Sequence, residues 1–161
     1  MLDERDLQIL SILQADARTS NAEIGRCLGV APSAILERIR KLERRGVIRG
    51  YSARIDPRAL GRDLLAFVFV QADERPGGEG LGDHLAALPE VQEVHHVAGE
   101  DCYLVKVRCA SPEQLGRLLK QRLGSLTGVL RTRTTVVLGT VKEELGIDIP
   151  AAAAEVRDDA P

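Results

Sequence analysis

Residues 20–48 read SNAEIGRCLGVAPSAILERIRKLERRGVI, and this stretch decides the fold of the first third of the chain. Ser20 followed by Glu23 is a capping box, in which a hydroxyl and a carboxylate satisfy the free N–H groups at a helix start. Ile24, Cys27 and Leu28 then fall on one face. Gly29 stands where a residue just past a helix C-terminus turns into the left-handed region. Pro32 suits the first turn of the next helix, where its missing N–H costs nothing. Ile35, Ile39 and Leu42 give that helix an apolar stripe, and Gly46 closes it. A short helix, a Gly-centred turn and an arginine-rich second helix are the parts of a helix-turn-helix, whose second helix lies in the major groove of DNA.

With Ile35, Ile39 and Leu42 facing a core, Ser33, Ala34, Glu37, Arg38 and Lys41 are expected on the opposite face. Ser33 suits a base edge or a phosphate, and Arg38 a bidentate pair with guanine or with phosphate oxygens. Arg40, Lys41, Arg44, Arg45 and Arg49 are expected to touch phosphates, which position a protein without specifying sequence. A basic face alone is equally the solvated side of an ordinary three-helix bundle. Capping box, glycine turn and Pro–Ser start together favour DNA.

Upstream, Asp3 with Asp6 caps a first helix carrying Leu7, Leu10 and Leu13. Downstream, the period changes. Val47, Ile48, Tyr51, Ala53 and Ile55 suit a short hairpin or an extended arm bent at Gly50, with Arg49 and Arg54 placed as a wing along the DNA backbone. Asp56-Pro57 and Gly61 mark a turn region. We therefore assign residues 1–55 to a winged helix-turn-helix domain and 56–63 to a linker.

The charge agrees with this division. Residues 1–62 hold 12 Lys+Arg against 8 Asp+Glu, a net of +4, and residues 63–161 hold 10 against 16, a net of −6. A whole-chain net of −2 hides a basic half suited to nucleic acid. The longest apolar run, LLAFVFV, is far too short to cross a bilayer as a helix. The acidic start MLDERD has no signal-peptide character. Three cysteines in no metal-like spacing fit a reducing compartment, so a cytoplasmic location is expected.

The second half alternates strand and helix patterns. Leu64–Ala72 is a β-prone run, 75–82 a Gly-rich loop, and Leu81, Leu85 and Leu88 a short helix ended by Pro89. Residues 91–97 and Tyr103–Cys109 alternate as strands around the turn AGED. Ser111-Pro112-Glu113 opens a helix containing Leu115, Leu118, Leu119 and Leu123, and 129–138 is a last strand. The order βαββαβ is that of a ferredoxin-like fold. The expected class is thus α+β, with a second domain over 64–143. Residues 144–161, ending in PAAAAEVRDDAP, are expected to form a mobile tail.

These residues carry a resemblance. LDERDLQIL, LQADARTS, IGRCLGVAPSAILERIRKLERRGVI, GYSARIDPRALG, VHHVAGEDCYLVKV and LTGVLRTRTTVVLGTVK together resemble the Lrp/AsnC, or feast/famine, transcription regulators. The resemblance implies a DNA-binding domain joined to a ligand-sensing domain. It also implies a homodimer assembling to an octamer, double-stranded DNA as partner, and an amino acid or similar metabolite as effector. Three positions depart from the family's usual pattern. Ala31 stands where Ser caps the recognition helix, and alanine cannot accept the N–H bonds. Leu36 replaces a polar residue and is placed either to touch thymine methyls or to pack on the first helix. Cys102 replaces the last residue of a Gly-x-x-Asp loop.

An amino-acid effector needs an anion for its ammonium and donors for its carboxylate. His96, Ala98, Gly99, Glu100, Asp101 and Cys102 line the candidate loop, with Gly99 allowing close backbone approach and Glu100 or Asp101 available to the ammonium. Thr132 and Thr134 offer hydroxyls from one face of the last strand, Thr135 from the other. A plain turn and ordinary β-propensity are the alternatives for these two groups. His95 and His96 point to opposite faces of a strand and cannot easily share an ion, so no metal or cofactor is expected. No nucleophile–base set or phosphate-binding loop stands out, and no enzymatic activity is expected. The expected function is an effector-responsive transcription regulator; the alternative is an architectural protein that organises DNA without an effector.

Overall fold

The computed structural model describes residues 2–73, 80–99 and 102–150. The chain divides into two compact units, Met1–Ala53 with Glu143–Pro161, and Arg54–Lys142.

The first unit is built on three helices, α1 (Glu4–Ala15), α2 (Asn21–Leu28) and α3 (Pro32–Arg44). Both expected capping boxes form. The Asp3 carboxylate accepts from the Asp6 N–H at 2.8 Å while the Asp6 carboxylate accepts from the Asp3 N–H at 3.3 Å. Ser20 and Glu23 make the same exchange at 3.2 and 2.9 Å. Gly29 closes α2 at φ 65°. Past α3, Gly46 at φ 67° lets the Val47 N–H reach the Leu42 carbonyl and its own N–H reach that of Glu43, both at 2.9 Å. That pair of bonds satisfies the last carbonyls of the helix. Ala31 precedes α3 with no side-chain cap bond, as its methyl requires. Ile9, Ile24, Ile35, Ile39 and Leu42 form the buried core, with Leu10, Leu13, Leu28 and Val30 packed around it.

Of the two forms open to residues 47–55, the structure takes the arm and not the hairpin: the segment carries no strand pairing. Two short strands with no third partner gain too little to persist. The arm is fixed instead by the Tyr51 hydroxyl, which donates to Glu43 on α3 at 3.1 Å.

The first seven residues of the expected tail, 144–150, are also described, and Ile147 among them is held. The Gln14 side-chain amide on α1 donates to the Ile147 carbonyl at 2.6 Å and accepts from the Ile147 N–H at 3.1 Å. Residues 151–161 lie outside the described residues.

The second unit is a four-stranded sheet, β1 (Leu64–Ala72), β2 (Val91–His96), β3 (Tyr103–Cys109) and β4 (Val129–Val136), with α4 (Leu81–Ala86) and α5 (Pro112–Arg117) on one face. A 3₁₀ turn, Pro57–Leu60, precedes β1. The spatial order is β2-β3-β1-β4 and every neighbour is antiparallel, which is the ferredoxin-like arrangement. Alternation along β1 and β3 puts Ala66, Val68, Val70, Val105 and Val107 under the helices with Leu85, Leu115, Leu118 and Leu123. Each fully buried aliphatic side chain there stabilises the fold by roughly 1.5–3 kcal/mol relative to exposure.

The second helix departs from expectation in its last turns. Beyond Arg117 it widens to a π-helix, Leu118–Leu123. Bonding from i to i+5 stacks residues five apart, so Leu118 and Leu123 both reach the core.

Candidate DNA-reading face and effector loop

On α3 the buried stripe Ile35, Ile39 and Leu42 leaves Ser33, Glu37, Arg40, Lys41 and Arg44 exposed on the opposite side. Arg45 and Arg49 continue the exposed basic surface past the helix end. Ala34 and Leu36 are half-buried on the flanks.

Arg38, expected to read a base or a phosphate, is engaged within the unit and lies half-buried at the flank of the exposed face. Its Nη1 donates to Asp3 Oδ2 at 2.6 Å and to Asp6 Oδ1 at 2.8 Å. Asp6 is 5% exposed, so the guanidinium neutralises a buried carboxylate and ties α3 to the start of α1. The hydrogen bonds it donates to Asp3, and next to Asp6, hold the Arg38 pKa above its ordinary value. The same pair, led by the Arg38 hydrogen bond, holds the Asp3 carboxyl below 3.8. The sequence contained the signal. Arg38 falls three residues after Ile35 and four before Leu42, which places it at the edge of the apolar stripe.

Gly25 was not singled out by sequence reasoning, yet it sets the geometry of the whole motif. A Cβ there would stand 2.5 Å from the Val30 carbonyl oxygen, and the Val30 N–H donates to the Gly25 carbonyl at 2.9 Å. The turn folds directly onto α2 at this point, and only a residue without a side chain permits it.

The candidate effector residues come from the β2–β3 loop and from β4. His96, Ala98 and Gly99 are exposed around the β2–β3 loop. The His96 ring stacks on Tyr103, with centroids 5.1 Å apart. The Cys102 N–H donates to the Val70 carbonyl at 2.9 Å, and its half-buried thiol lies 3.6 Å from the Ala72 carbonyl. Cys102 therefore ties the loop to the end of β1. Glu100 and Asp101 lie outside the described residues. Thr132 and Thr134 are half-buried on β4, paired with Val70 and Val68 of β1.

Sheet order separates His96 from the threonines. His96, Tyr103, Val70 and Thr132 form one row across all four strands, which puts His96 and Thr132 about 14 Å apart at the strand spacing. The loop still approaches the threonines at Cys102, which bonds to Val70, the β1 partner of Thr132. Gly99 remains the most telling loop residue. It sits at φ 137°, and a Cβ added there would meet nothing within 4 Å. Space is therefore free, but the backbone is one that L-residues rarely adopt. Gly99→Val is expected to shift the effector dose response at least tenfold while leaving basal DNA binding intact. An unchanged dose response would remove this loop from the site.

The other face of the sheet turns away from α4 and α5. Phe67, Phe69 and Leu104 are half-buried on it, and the Arg133 guanidinium lies 4.0 Å over the Phe69 ring.

This architecture has known counterparts. Residues 2–43 match the AsnC-type helix-turn-helix domain, and residues 65–147 match the Lrp/AsnC ligand binding domain. The chain is 41% identical over 148 residues to the HTH-type transcriptional regulator FL11 of Pyrococcus horikoshii, covering 92% of this chain and 97% of that one. It is 40% identical over 144 residues to the leucine-responsive regulatory protein of Escherichia coli, covering 88% of each. Among solved structures it is similar to the feast or famine regulatory protein of M. tuberculosis complexed with L-methionine. There the TM-score is 0.85 at 38% identity, over 93% of this chain and 100% of that one. Two matched domains in the same order, and identity sustained across both, show that the chain belongs to the Lrp/AsnC family of transcriptional regulators.

Proposed function

We propose that this regulator grips duplex DNA through α3, as a homodimer that assembles further to an octamer, and answers to an apolar α-amino acid at the β2–β3 loop. It acts in the cytoplasm, as a regulator and not as an enzyme. The observation that carries this reading is the face of α3: Ser33, Glu37, Arg40, Lys41 and Arg44 are all exposed, opposite a fully apolar seam. Ser33 and Glu37 stand nearest the helix start, where base edges are met. Arg40, Lys41, Arg44, Arg45 and Arg49 supply phosphate contacts. The L-methionine held by the M. tuberculosis relative supports the effector class.

Binding isotherms across a salt series test the DNA face. Lys41→Ala with Arg44→Ala is expected to lower the salt slope by about 2, one for each lost phosphate contact, with no change in melting temperature. A slope equal to that of the unaltered protein would place both residues away from the DNA.

The sheet face turned away from α4 and α5 supplies the dimer contact. Phe67 and Phe69, with Leu104 beside them on β3, offer an apolar surface that a second copy would cover. Phe67→Asp is expected to shift the sedimentation coefficient to that of a smaller species. Retention of the full assembly would place the interface elsewhere.

A further inference from the structure

At the end of the sheet opposite the β2–β3 loop lies a cleft of about 260 Å³, lined by residues of the 55–62 segment and by residues at the start of β2 and the end of β3. We propose that this cleft is a second binding site for a small apolar α-amino acid. The proposal rests on the amino-acid reading above and adds to it a place distinct from the loop.

Three features of the cleft match that ligand. Its walls are divided by chemistry. Ile55, Pro57, Leu60 and Pro89 are apolar, while Arg62 and Arg108 provide two guanidiniums and Glu90 one carboxylate. A zwitterion with an aliphatic side chain complements that set: carboxylate to arginine, ammonium to Glu90, side chain to the prolines and Leu60. The volume lies just under the 300 Å³ at which drug-sized pockets begin, which suits a single amino acid.

The polar groups are also held in place. Arg62 donates to Gln114 at 3.1 Å, and the same Gln114 oxygen accepts from the Ala110 N–H at 2.7 Å. Arg108 donates from Nε to Gln92 at 3.0 Å. Glu90 faces Arg122 at 3.3 Å, and its carbonyl accepts from the Arg108 N–H at 2.9 Å. Fixed charges lose little entropy when a ligand arrives. The Cys109 thiol lies fully buried nearby. Burial pushes its pKa up, Glu90 adds to the rise and Arg62 opposes it, so both charges act over the same short range.

Position gives the cleft its consequence. Ile55, Pro57 and Leu60 belong to the segment that follows Ala53, where the chain passes from one compact unit to the other. A ligand seated here would grip that segment directly.

The test is equilibrium dialysis of labelled L-leucine, and separately L-methionine, against the full chain and four variants. These are Arg62→Met, Leu60→Trp, Glu90→Gln and Gly99→Val. Leu60 is 65% exposed, so a larger residue can block the cleft from its rim without burdening the core. The unaltered chain is expected to show two classes of site. Arg62→Met and Leu60→Trp should each remove one class with at least a tenfold loss of affinity, and Gly99→Val should remove only the other. Glu90→Gln should weaken leucine but not 4-methylpentanoate, which lacks the ammonium. Binding abolished by Gly99→Val alone overturns the cleft and leaves the loop reading standing. Binding abolished only by the cleft variants upholds the cleft and overturns the loop. No binding of either amino acid by any form overturns both.

Discussion

Gly25→Ala is expected to destabilise the DNA-binding unit by about 2 kcal/mol, in the range of other overpacking substitutions. In a domain of this size that lowers the melting temperature by on the order of 10 °C. Two effects compete at this position with opposite signs. Gly25 lies inside α2, where alanine is intrinsically favoured over glycine by up to about 1 kcal/mol. Helix propensity alone therefore calls for stabilisation. Against it stands the Val30 carbonyl oxygen, 2.5 Å from where the new Cβ would lie. The obstacle is backbone and not the tip of a side chain, so it cannot rotate away. Either the turn opens, with loss of the 2.9 Å bond between the Val30 N–H and the Gly25 carbonyl, or α2 and α3 separate. Both changes spoil the angle at which α3 meets DNA, so affinity should fall with stability. Gly29→Ala is the control. It places a methyl in open space at φ 65° and should cost only the left-handed penalty of about 1–2 kcal/mol. The check is thermal denaturation followed by helix content. A melting temperature at or above that of the unaltered protein for Gly25→Ala would mean the close approach is not rigid.

The contrast between Gly25 and Gly29 also shows what a sequence discloses. Gly29, Gly46, Asp3 and Ser20 act through bonds to residues at most four away, and their roles were legible in spacing alone. β1 and β3 were legible to the residue, β1 as an unbroken β-prone run and β3 because a period of two marks a half-buried strand at its own positions. Gly25 answers to a carbonyl on the far side of a turn, which no periodicity reports. The distance between His96 and the threonines was hidden for a related reason. Alternation correctly put Thr132 and Thr134 on one face, but only strand order reveals that β1 and β3 separate them from His96. The cleft charges Arg62, Glu90 and Arg108 come from three segments and form no motif. The π-helical turn at Leu118–Leu123 was invisible because Leu115, Leu118 and Leu119 already satisfy a helical stripe.

Arg38→Ala is expected to reduce the stability of the DNA-binding unit by about 1–3 kcal/mol, the loss typical of a hydrogen-bonded charge whose partner stays buried. A fully enclosed pair would lose about 3–5 kcal/mol. Arg38 is 36% exposed and Asp3 55%, so water screens part of the interaction. Most of the penalty falls on Asp6, left near α3 with a buried carboxylate and no guanidinium. Arg38→Met combined with Asp6→Asn should therefore recover much of the loss, since it removes both charges together. Acid supplies a second readout. The Arg38 hydrogen bond lowers the Asp3 pKa from 3.8. A group with a lowered folded-state pKa gives stability that is present above its unfolded value and lost as pH falls through the folded one. The melting-temperature difference between the unaltered protein and Arg38→Ala should thus be constant near neutrality and shrink below about pH 4. DNA binding separates the structural role from base reading. If Arg38 acts as a strut, its loss weakens specific and random DNA by the same factor and leaves the salt slope unchanged, because no phosphate or base contact has gone. A drop confined to specific DNA, with the melting temperature unmoved, would show that the guanidinium leaves Asp3 and Asp6 for a base edge when the complex forms.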